Sequence, residues 1–463
     1  MRQLWGMNGT NQPGMTVRGR REQRLSYENR LAAEAKHASK RLYAYMRRRT
    51  RDTTGVPTIE TPTGMAETAE EKANALALQY KGVYTSETLP PPTLNRPMAV
   101  LECAPIGEEE VATALQKLNT QKSPGPDGLH PLILKELAHI LTPPLTRLFN
   151  KSLEQGLLPR DWKLAYISPR YKGGPRKQAV SYRPISLTCI TCKVMERLLV
   201  QRLQTHLEER SLLTPSQHGF RRHRSCLSNL LLARERWTDA KACGKEMDVI
   251  FIDFCKAFDK VPHSRLLTKL EAYGIGNQLL GWIADFLRGR KFSVRVTDCL
   301  SQWFDITSGV PQGSVLGPLL FLVYINDLPG QLTSPCLFYA DDLKIWRVIR
   351  SDADRDALQA DLNRIMLWTT DWALPVNGDK CSYMHVGCQD QTNVYHLDGR
   401  SLRNSMSERD LGVRVASSLK TAEHTTHACA SARRVLGSFF SVYSTKNHAE
   451  LCCGMGCYLY TTP

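Results

Sequence analysis

Two acidic residues interrupt the apolar stretch Phe338-Tyr339-Ala340-Asp341-Asp342-Leu343-Lys344-Ile345-Trp346. The apolar and aromatic residues on either side predict two short strands, with the acids at a hairpin turn between them. Two like charges held close together repel each other, and burial makes that repulsion more costly. A divalent cation relieves it, because Mg²⁺ prefers hard oxygen ligands such as carboxylates. Taken alone, the acidic pair also fits an ordinary surface turn.

A second apolar run delivers another acid. Residues 249–252 are continuously apolar, which is typical of a buried strand, and Asp253 follows directly. Between the two acid sites, Pro311-Gln312-Gly313 lies in a Gly- and Pro-rich stretch whose backbone can approach a ligand closely, and an apolar helix is predicted from Leu319. The carboxylates must come from neighbouring strands if they are to hold metal ions together.

These three blocks resemble the palm of a reverse transcriptase, with Asp253 in motif A, Gln312 in motif B and residues 339–342 in motif C. Other stretches narrow the resemblance to the enzymes of non-LTR (LINE-like) retrotransposons: residues 122–129, 181–187, 217–221 and 253–259, with Cys255 where Ser is more usual. Residues 372–381 and 411–413 resemble that family's motifs D and E. The similarity runs from about residue 106 to residue 443.

The resemblance implies an α+β fold with the right-hand architecture of polymerases: fingers, a palm built on an antiparallel sheet packed by helices, and a partial helical thumb. The expected domains are a basic arm (1–51), a Pro/Thr-rich and mostly irregular linker (52–105), fingers (106–245), palm (246–415) and a thumb (416–463) that looks truncated. Within the linker, residues 80–89 are predicted to be ordered.

Hydrophobic periodicity predicts the local elements. Helices are expected over residues 111–118, 193–209, 264–273, 279–287, 319–328, 354–372 and 422–440, and fingers strands over 162–169 and 183–187. One or two helices are expected over 129–155, with a break at Pro143-Pro144, because proline cannot donate a helical hydrogen bond.

Nucleotide addition by two metal ions requires several carboxylates at one place. Asp253, Asp341 and Asp342 are the predicted catalytic residues and ligands of two Mg²⁺ ions, with Mn²⁺ as an alternative, and the resemblance implies the strongest metal roles for Asp253 and Asp341. The main-chain carbonyl of Phe254 is a further candidate ligand. Asp259 is predicted to be a structural or capping carboxylate.

Phe258, Gln312, Arg183 and Lys172 are the candidate nucleotide-binding residues. The resemblance implies that Phe258 blocks the 2′-OH of an incoming nucleotide and so selects dNTPs, while core packing is the alternative role. Gln312 would bond the sugar or phosphate, and Arg183 and Lys172 would bind the triphosphate, although solvated surface cations are an alternative for both. Lys380 resembles the motif D lysine suggested to protonate pyrophosphate, and general-acid help of this kind contributes roughly 10²–10⁴ in rate.

The formal net charge of +16 favours a polyanionic partner. Up to Arg51 there are thirteen Arg and Lys against three Glu, so the arm carries +10 of this excess. In the remainder, Arg221, Arg222 and Arg224 are predicted to run along template phosphates, unless they form only a solvated face.

An RNA template, a DNA primer and dNTPs are the expected partners. The start of the chain shows no apolar signal segment, and no run of 18 or more apolar residues occurs. The chain is therefore expected to be intracellular, in the nucleus or the cytoplasm, with reduced thiols and no membrane partner. No endonuclease is recognised before Ile106, which leaves an endonuclease or RNA-binding protein on another chain as a further candidate partner.

The predicted function is that of an RNA-directed DNA polymerase of a LINE-like element. A catalytically inactive nucleic-acid-binding remnant is the alternative, motivated by the short thumb and the missing endonuclease. The intact Asp253, Asp341, Asp342 and Gln312 argue against it. An RNA-dependent RNA polymerase or an intron maturase shares the metal chemistry, but Phe258 counts against both, as does the 181–187 block.

Overall fold

The computed structural model describes Glu22, Gln23, Ser26, Tyr27 and Arg30, and then residues 55–62, 64–87, 90–94, 100–101, 103–387 and 393–442. The chain divides into two compact units: Gly55–Glu423 form one, and Met1–Thr54 with His424–Pro463 form the other. Within the second unit, the Arg30 guanidinium lies 5.4 Å from the centre of the Tyr27 ring. Most of the predicted basic arm (1–51) and the end of the predicted thumb (443–463) fall outside the described residues.

The strands are numbered in chain order. They are β1 (Ile59–Thr61), β2 (Gly64–Ala66), β3 (Leu164–Tyr171), β4 (Tyr182–Leu187), β5 (Glu246–Asp253), β6 (Arg290–Val296), β7 (Cys299–Leu300), β8 (Phe304–Ile306), β9 (Cys336–Tyr339), β10 (Asp342–Ile349), β11 (Ser382–Val386), β12 (His396–Leu397), β13 (Arg400–Ser401), β14 (Arg403–Asn404), β15 (Ser407–Asp410) and β16 (Val413–Ala416).

The α-helices are numbered in the same way. They are α1 (Ala69–Lys81), α2 (Glu108–Gln116), α3 (Pro131–Glu136), α4 (Ala138–Gln155), α5 (Ile190–Glu209), α6 (Cys226–Ala242), α7 (Ala257–Lys260), α8 (His263–Ala272), α9 (Asn277–Leu287), α10 (Gly317–Ile325), α11 (Asp352–Asp371) and α12 (Ala422–Val442).

A five-stranded sheet in the order β14-β11-β5-β10-β9 lies at the centre of the larger unit. The strand β5 pairs antiparallel with both β10 and β11, and β9 pairs antiparallel with β10. Only the β11–β14 pair of this sheet is parallel. The predicted buried strand at 249–252 and the predicted acidic hairpin are both confirmed, and Asp253 is the last residue of β5.

Both faces of the central sheet are covered. On one face, Ile250, Ile252, Leu343 and Ile345 join the largest apolar core, which includes the apolar sides of α8, α9, α10 and α11. On the other face, Val249, Trp346 and Met384 pack with Trp237 of α6. Burial of both faces explains why β5 has a continuous apolar run and not an alternating one.

A second sheet has the order β4-β3-β6-β7, with β8 also paired to β6. The predicted hairpin of β3 and β4 is confirmed as an antiparallel pair. The parallel partner of β3 is β6, which lies more than a hundred residues later in the chain. Neither the strands β6, β7 and β8 of this sheet nor the helix α6 was predicted from the sequence.

The prediction of a mostly irregular linker over 52–105 is wrong for its first half. Thr68 and Glu71 form a reciprocal capping box that starts α1. Ala73, Leu76 and Tyr80 recur at helical spacing, and this stripe packs on the second sheet with Phe292 and Val294. In the larger unit, β1, β2 and α1 all precede residue 106, where the fingers were predicted to begin.

The predicted break at Pro143-Pro144 is also wrong, because α4 continues through both prolines and the break lies at Leu137. The prolines remove two main-chain donors near the start of the helix, where the freed carbonyls of His139 and Ile140 lie at exposed positions. Burial of residues such as Phe149 keeps the helix in place. The other predicted helices are confirmed, with ends that agree to within three residues.

Among the helices of the described residues, none is both long enough and apolar enough to cross a membrane.

Candidate active site

The pairing of β5 with β10 brings the predicted catalytic acids together. Asp253 lies directly opposite Asp342 in the antiparallel register. Directly opposed residues project from the same face of a sheet with their Cβ atoms about 4.5–5.5 Å apart. Asp341 lies in the two-residue turn that joins β9 to β10, because Tyr339 pairs with Asp342. Ala340, the other turn residue, has the left-handed φ of +56°.

Burial and mutual repulsion disfavour the charged forms of the turn acids. Burial raises the pKa of Asp341, and the nearby Asp253 adds to the rise, while Arg183 and Lys380 oppose it. The pKa of Asp342 is raised to about 6. The causes are the partial burial of its carboxyl group and the negative charges of Asp341 and Asp253, although part of the residue is exposed to solvent. A cation bound beside these carboxylates would lower both pKa values, because it favours their charged forms.

Four basic side chains surround the acids. Lys380 Nζ lies 2.9 Å from Asp253 Oδ2, and its side chain is 64% exposed. Partial burial lowers the pKa of Lys172, and the positive charges of Lys256, Lys380 and Arg183 lower it further. Since these charges act on one another, the four cations belong to a single site.

Lys256 is the member of this group to which sequence reasoning gave no role. It caps α7 with a left-handed φ of 52°, three residues after Asp253. Its positive charge is one of those that lower the pKa of Lys172. Lys256 lies within the 253–259 motif, but the linear sequence does not show that residue 256 is close to residue 172.

The loop before α10 is held by contacts with the second sheet and with Asp259. Gln312 Nε2 donates to Asp259 Oδ1 at 2.7 Å, and the Gln312 carbonyl accepts from the Ser186 N–H at 2.9 Å. Gly313 has a φ of +113°, and a Cβ there would lie 2.5 Å from the Ser186 carbonyl oxygen. Asp259 is thus a structural carboxylate, as predicted, and it orients the Gln312 side chain.

Buried Glu196 of α5 supports the end of the same loop. Its Oε2 accepts from the main-chain N–H groups of Val315 and Leu316, at 2.6 and 2.9 Å. These donors lie just before α10, so the carboxylate satisfies groups that a helix start leaves without partners. Burial raises the pKa of Glu196, which these two hydrogen bonds oppose.

Phe258 lies half-buried between two other aromatic rings. It stacks on Phe321 with centroids 4.4 Å apart, and the exposed Phe220 meets it edge to face at 6.2 Å. The underlying Phe321 holds the Phe258 ring in place. Phe254, by contrast, is buried against Trp368, so only its main chain remains for the predicted ligand role.

The predicted basic cluster separates into two kinds of residue. Arg221 Nε lies 2.9 Å from Glu208 Oε1 and its Nη1 donates to the Thr214 carbonyl at 2.7 Å. Arg224 Nη1 donates to the Pro215 carbonyl at 2.8 Å. Both guanidinium groups therefore stabilise the fold. Arg222 is exposed and makes no hydrogen bond or ion pair with other described residues, so it is the member best placed for a phosphate.

The acids do not enclose a metal ion by themselves. Within the described part of the chain, no group of three or more His, Cys, Asp and Glu side chains is arranged to do so. Mg²⁺ in polymerase sites is bound by one or two carboxylates together with substrate phosphates and water. The facing carboxylates of Asp253 and Asp342, with Asp341 beside them, fit that kind of open site.

A profile of the family described as reverse transcriptase (RNA-dependent DNA polymerase) matches residues 174–424. The "Probable RNA-directed DNA polymerase from transposon BS" of Drosophila melanogaster is 31% identical over 402 residues, or 80% of this chain and 44% of that protein. The "RNA-directed DNA polymerase from mobile element jockey" of the same organism is 29% identical over 424 residues, which are 86% of this chain and 46% of the relative.

The chain thus spans less than half the length of these relatives. The match covers β4, β5, β9 and β10, and therefore all of the predicted metal ligands. The two relatives are named after non-LTR elements, and they confirm the resemblance that the motifs predict. The chain belongs to the reverse transcriptase (RNA-dependent DNA polymerase) family.

Proposed function

We propose that this chain is the catalytic part of an RNA-directed DNA polymerase that transfers nucleotides from dNTPs to the 3′-OH of a primer. The observation that carries the proposal is the pairing of Asp253 with Asp342 across β5 and β10, with Asp341 in the adjoining turn. In this proposal the central sheet is the palm, the second sheet belongs to the fingers, and α12 begins a thumb.

Asp253, Asp341 and Asp342 would hold two Mg²⁺ ions, with Mn²⁺ as an alternative. When bound, the metal lowers the pKa of the primer hydroxyl and stabilises charge on the phosphoryl oxygens. The raised pKa values of Asp341 and Asp342 support this assignment, because a carboxylate pair under repulsion gains most from a nearby cation.

The basic side chains around the acids would bind the triphosphate. Arg183 and Lys172 project from the β3–β4 hairpin, and Lys256 approaches from the end of β5. Cations from two sheets converging on one place suit a ligand that carries several negative charges. Lys380 holds a proton at Nζ beside Asp253, where the leaving pyrophosphate would accept it.

Phe258 and Gln312 would select and orient the nucleotide. The Phe258 ring is fixed against Phe321, so it would not move aside for a ribose 2′-OH. Gln312 is oriented through Asp259, and its position beside the Ser186 main chain places it between the two sheets. The fixed ring of Phe258 favours dNTPs as substrates.

The remaining expectations are part of the same proposal. An RNA template and a DNA primer would be the nucleic-acid partners, and an endonuclease or RNA-binding protein on another chain remains a candidate partner. The expectation that the chain acts inside the cell, in the nucleus or the cytoplasm, rests on sequence alone.

Primer extension tests this proposal directly. A labelled DNA primer annealed to an RNA template is incubated with the chain, Mg²⁺ and either dNTPs or rNTPs. We expect extension with dNTPs and little with rNTPs. Binding of the primer–template without extension by either nucleotide would instead identify the inactive binding remnant, and extension with rNTPs alone would identify an RNA polymerase.

A further inference from the structure

The turn that carries Asp341 contains an unfavourable backbone conformation. Ala340 has a φ of +56°, although a left-handed conformation is disfavoured for an L-residue with a Cβ. Glycine is the usual residue at such a position in a two-residue hairpin turn. Something outside the turn must therefore hold Ala340 in this conformation.

The side-chain amide of Gln217 contacts both main-chain polar groups of Ala340. The Ala340 N–H donates to Gln217 Oε1 at 3.0 Å, and Gln217 Nε2 donates to the Ala340 carbonyl at 3.3 Å. The Gln217 side chain is only 2% exposed, so water does not compete for these bonds. One amide thus satisfies the donor and the acceptor of a single turn residue.

The segment that carries Gln217 is itself fixed to the turn and to β9. The Gly219 N–H donates to Gln217 Oε1 at 2.7 Å, which orients the amide. A Cβ on Gly219 would lie 2.4 Å from the Ala340 nitrogen, so glycine is required for this close approach. The His218 N–H also donates to the Phe338 carbonyl at 2.9 Å, two residues before Ala340.

We propose that Gln217 is a positioning residue, whose buried amide holds Ala340 in the left-handed conformation and so keeps Asp341 and Asp342 aimed at a shared metal site. Two neighbouring carboxylates repel each other, and a two-residue turn would relax to separate them. The contacts of Gln217 with Ala340 oppose that relaxation. This role rests on the proposed function. It also accounts for the spacing of Gln217 and Gly219, for which no role was predicted from the sequence.

The test compares variants of the full chain. Gln217→Met keeps the size of the side chain but removes both hydrogen bonds to Ala340. Gln217→Met/Ala340→Gly adds a residue that adopts a positive φ without steric cost. Asn150→Leu is the matched control: it removes an amide that also contacts both main-chain polar groups of one residue, since Asn150 Oδ1 accepts from the Ile106 N–H at 2.7 Å and its Nδ2 donates to the Ile106 carbonyl at 2.9 Å. Primer extension, thermal unfolding and Mn²⁺ binding, followed by electron paramagnetic resonance of free Mn²⁺, are measured for each.

We expect Gln217→Met to lower kcat by about tenfold or more, with the KM for dNTP changed much less, since buried polar groups of the turn lose their partners. Its affinity for Mn²⁺ should fall as well. Adding Ala340→Gly should recover part of both losses. Asn150→Leu should lower the thermal stability while kcat stays within about twofold of the wild type.

A Gln217→Met chain with wild-type kcat and Mn²⁺ affinity would overturn the proposal. So would losses that Asn150→Leu reproduces and Ala340→Gly does not relieve, because these would reflect folding alone. A wild-type chain that fails to extend a primer contradicts the proposed function, but the Mn²⁺ comparison still decides the role of Gln217. If Asp341→Asn/Asp342→Asn binds Mn²⁺ as well as the wild type does, both proposals fail.

Discussion

Lys344, on β10 two residues after Asp342, forms a buried ion pair with Asp410 at the end of β15. The two side chains are 4% and 7% exposed. Lys344 Nζ also lies 5.8 Å from the centre of the Trp237 ring. The pair joins the hairpin of β15 and β16 to the face of the central sheet that carries the acids.

Removing one partner of this pair should destabilise the fold. Lys344→Met or Asp410→Leu leaves a buried charge without its counterion, and we expect each to lower the free energy of unfolding by about 3–5 kcal/mol. The double variant Lys344→Met/Asp410→Leu should recover most of that loss, since it buries no charge. Urea denaturation provides the measurement. As a control, Lys291→Met breaks an exposed pair with Asp305 and should cost less than about 1 kcal/mol. Additive losses in the double variant would contradict the coupling.

Phe258→Ala should weaken the exclusion of ribonucleotides. We expect the ratio of kcat/KM for dNTP over rNTP to fall by about tenfold or more, because the ring no longer meets the 2′-OH. The cavity should also lower stability by up to about 3 kcal/mol. Phe321→Leu keeps the Phe258 ring but loosens its packing, so it should lose a smaller part of the discrimination. Unchanged discrimination in Phe258→Ala would show that the ring does not exclude the 2′-OH.

His385 should make the stability of the central sheet depend on pH. Its Nδ1 lies 2.6 Å from Asp248 Oδ1 and its Nε2 lies 2.8 Å from Glu246 Oε2. The hydrogen bond to Asp248 raises the pKa of His385 above 6.5, and the charges of Asp248 and Glu246 add to the rise. A raised pKa contributes stability that is fully present below 6.5 and is lost as the pH rises through the folded value.

Thermal unfolding of the wild type and of His385→Gln, followed from pH 6 to pH 9, measures this effect. We expect Tm of the wild type to fall with increasing pH more steeply than that of the variant. Parallel curves for the two proteins would show that folding does not shift the pKa of His385.

Arg221 and Arg222 should differ in what they stabilise. Arg221→Ala removes bonds to Glu208 and Thr214, and we expect it to lower the free energy of unfolding by about 1.5–3 kcal/mol. Arg222→Ala should leave stability unchanged and weaken binding to an RNA–DNA duplex, with the salt dependence of log Kd reduced by about one. Fluorescence anisotropy at several salt concentrations measures the second effect. Unchanged affinity in Arg222→Ala would assign this arginine to a solvated face.

The acids of the candidate site could be located from the sequence because each is attached to a strong local pattern. Asp253 ends a continuous apolar run that becomes β5, and Asp341 lies at a break between two apolar runs that become β9 and β10. A strand buried on both faces and a short hairpin are encoded by neighbouring residues. The register that sets Asp253 opposite Asp342 could not be predicted, because strand register depends on how the two faces of the sheet pack.

The supporting residues could not be predicted, because their partners lie far away in the chain. Gln217 contacts Ala340 across 123 residues, and Lys344 meets Asp410 across 66. No periodicity or spacing encodes such a pair. The helix α1 was not predicted for another reason. The sequence contains its capping box and its stripe of Ala and Leu, but the Thr, Pro and Glu clusters around them favoured an irregular linker.

The central claim is that Asp253 and Asp341 hold the metal ions for nucleotide transfer. The most direct test is the rate of single-nucleotide extension of a DNA primer on an RNA template by Asp253→Asn and by Asp341→Asn. Asp298→Asn, at an exposed position after β6, is the matched control. We predict that the two site variants lose about a hundredfold or more in rate, while the control stays within about twofold of the wild type. Wild-type rates in Asp253→Asn or Asp341→Asn would contradict the account.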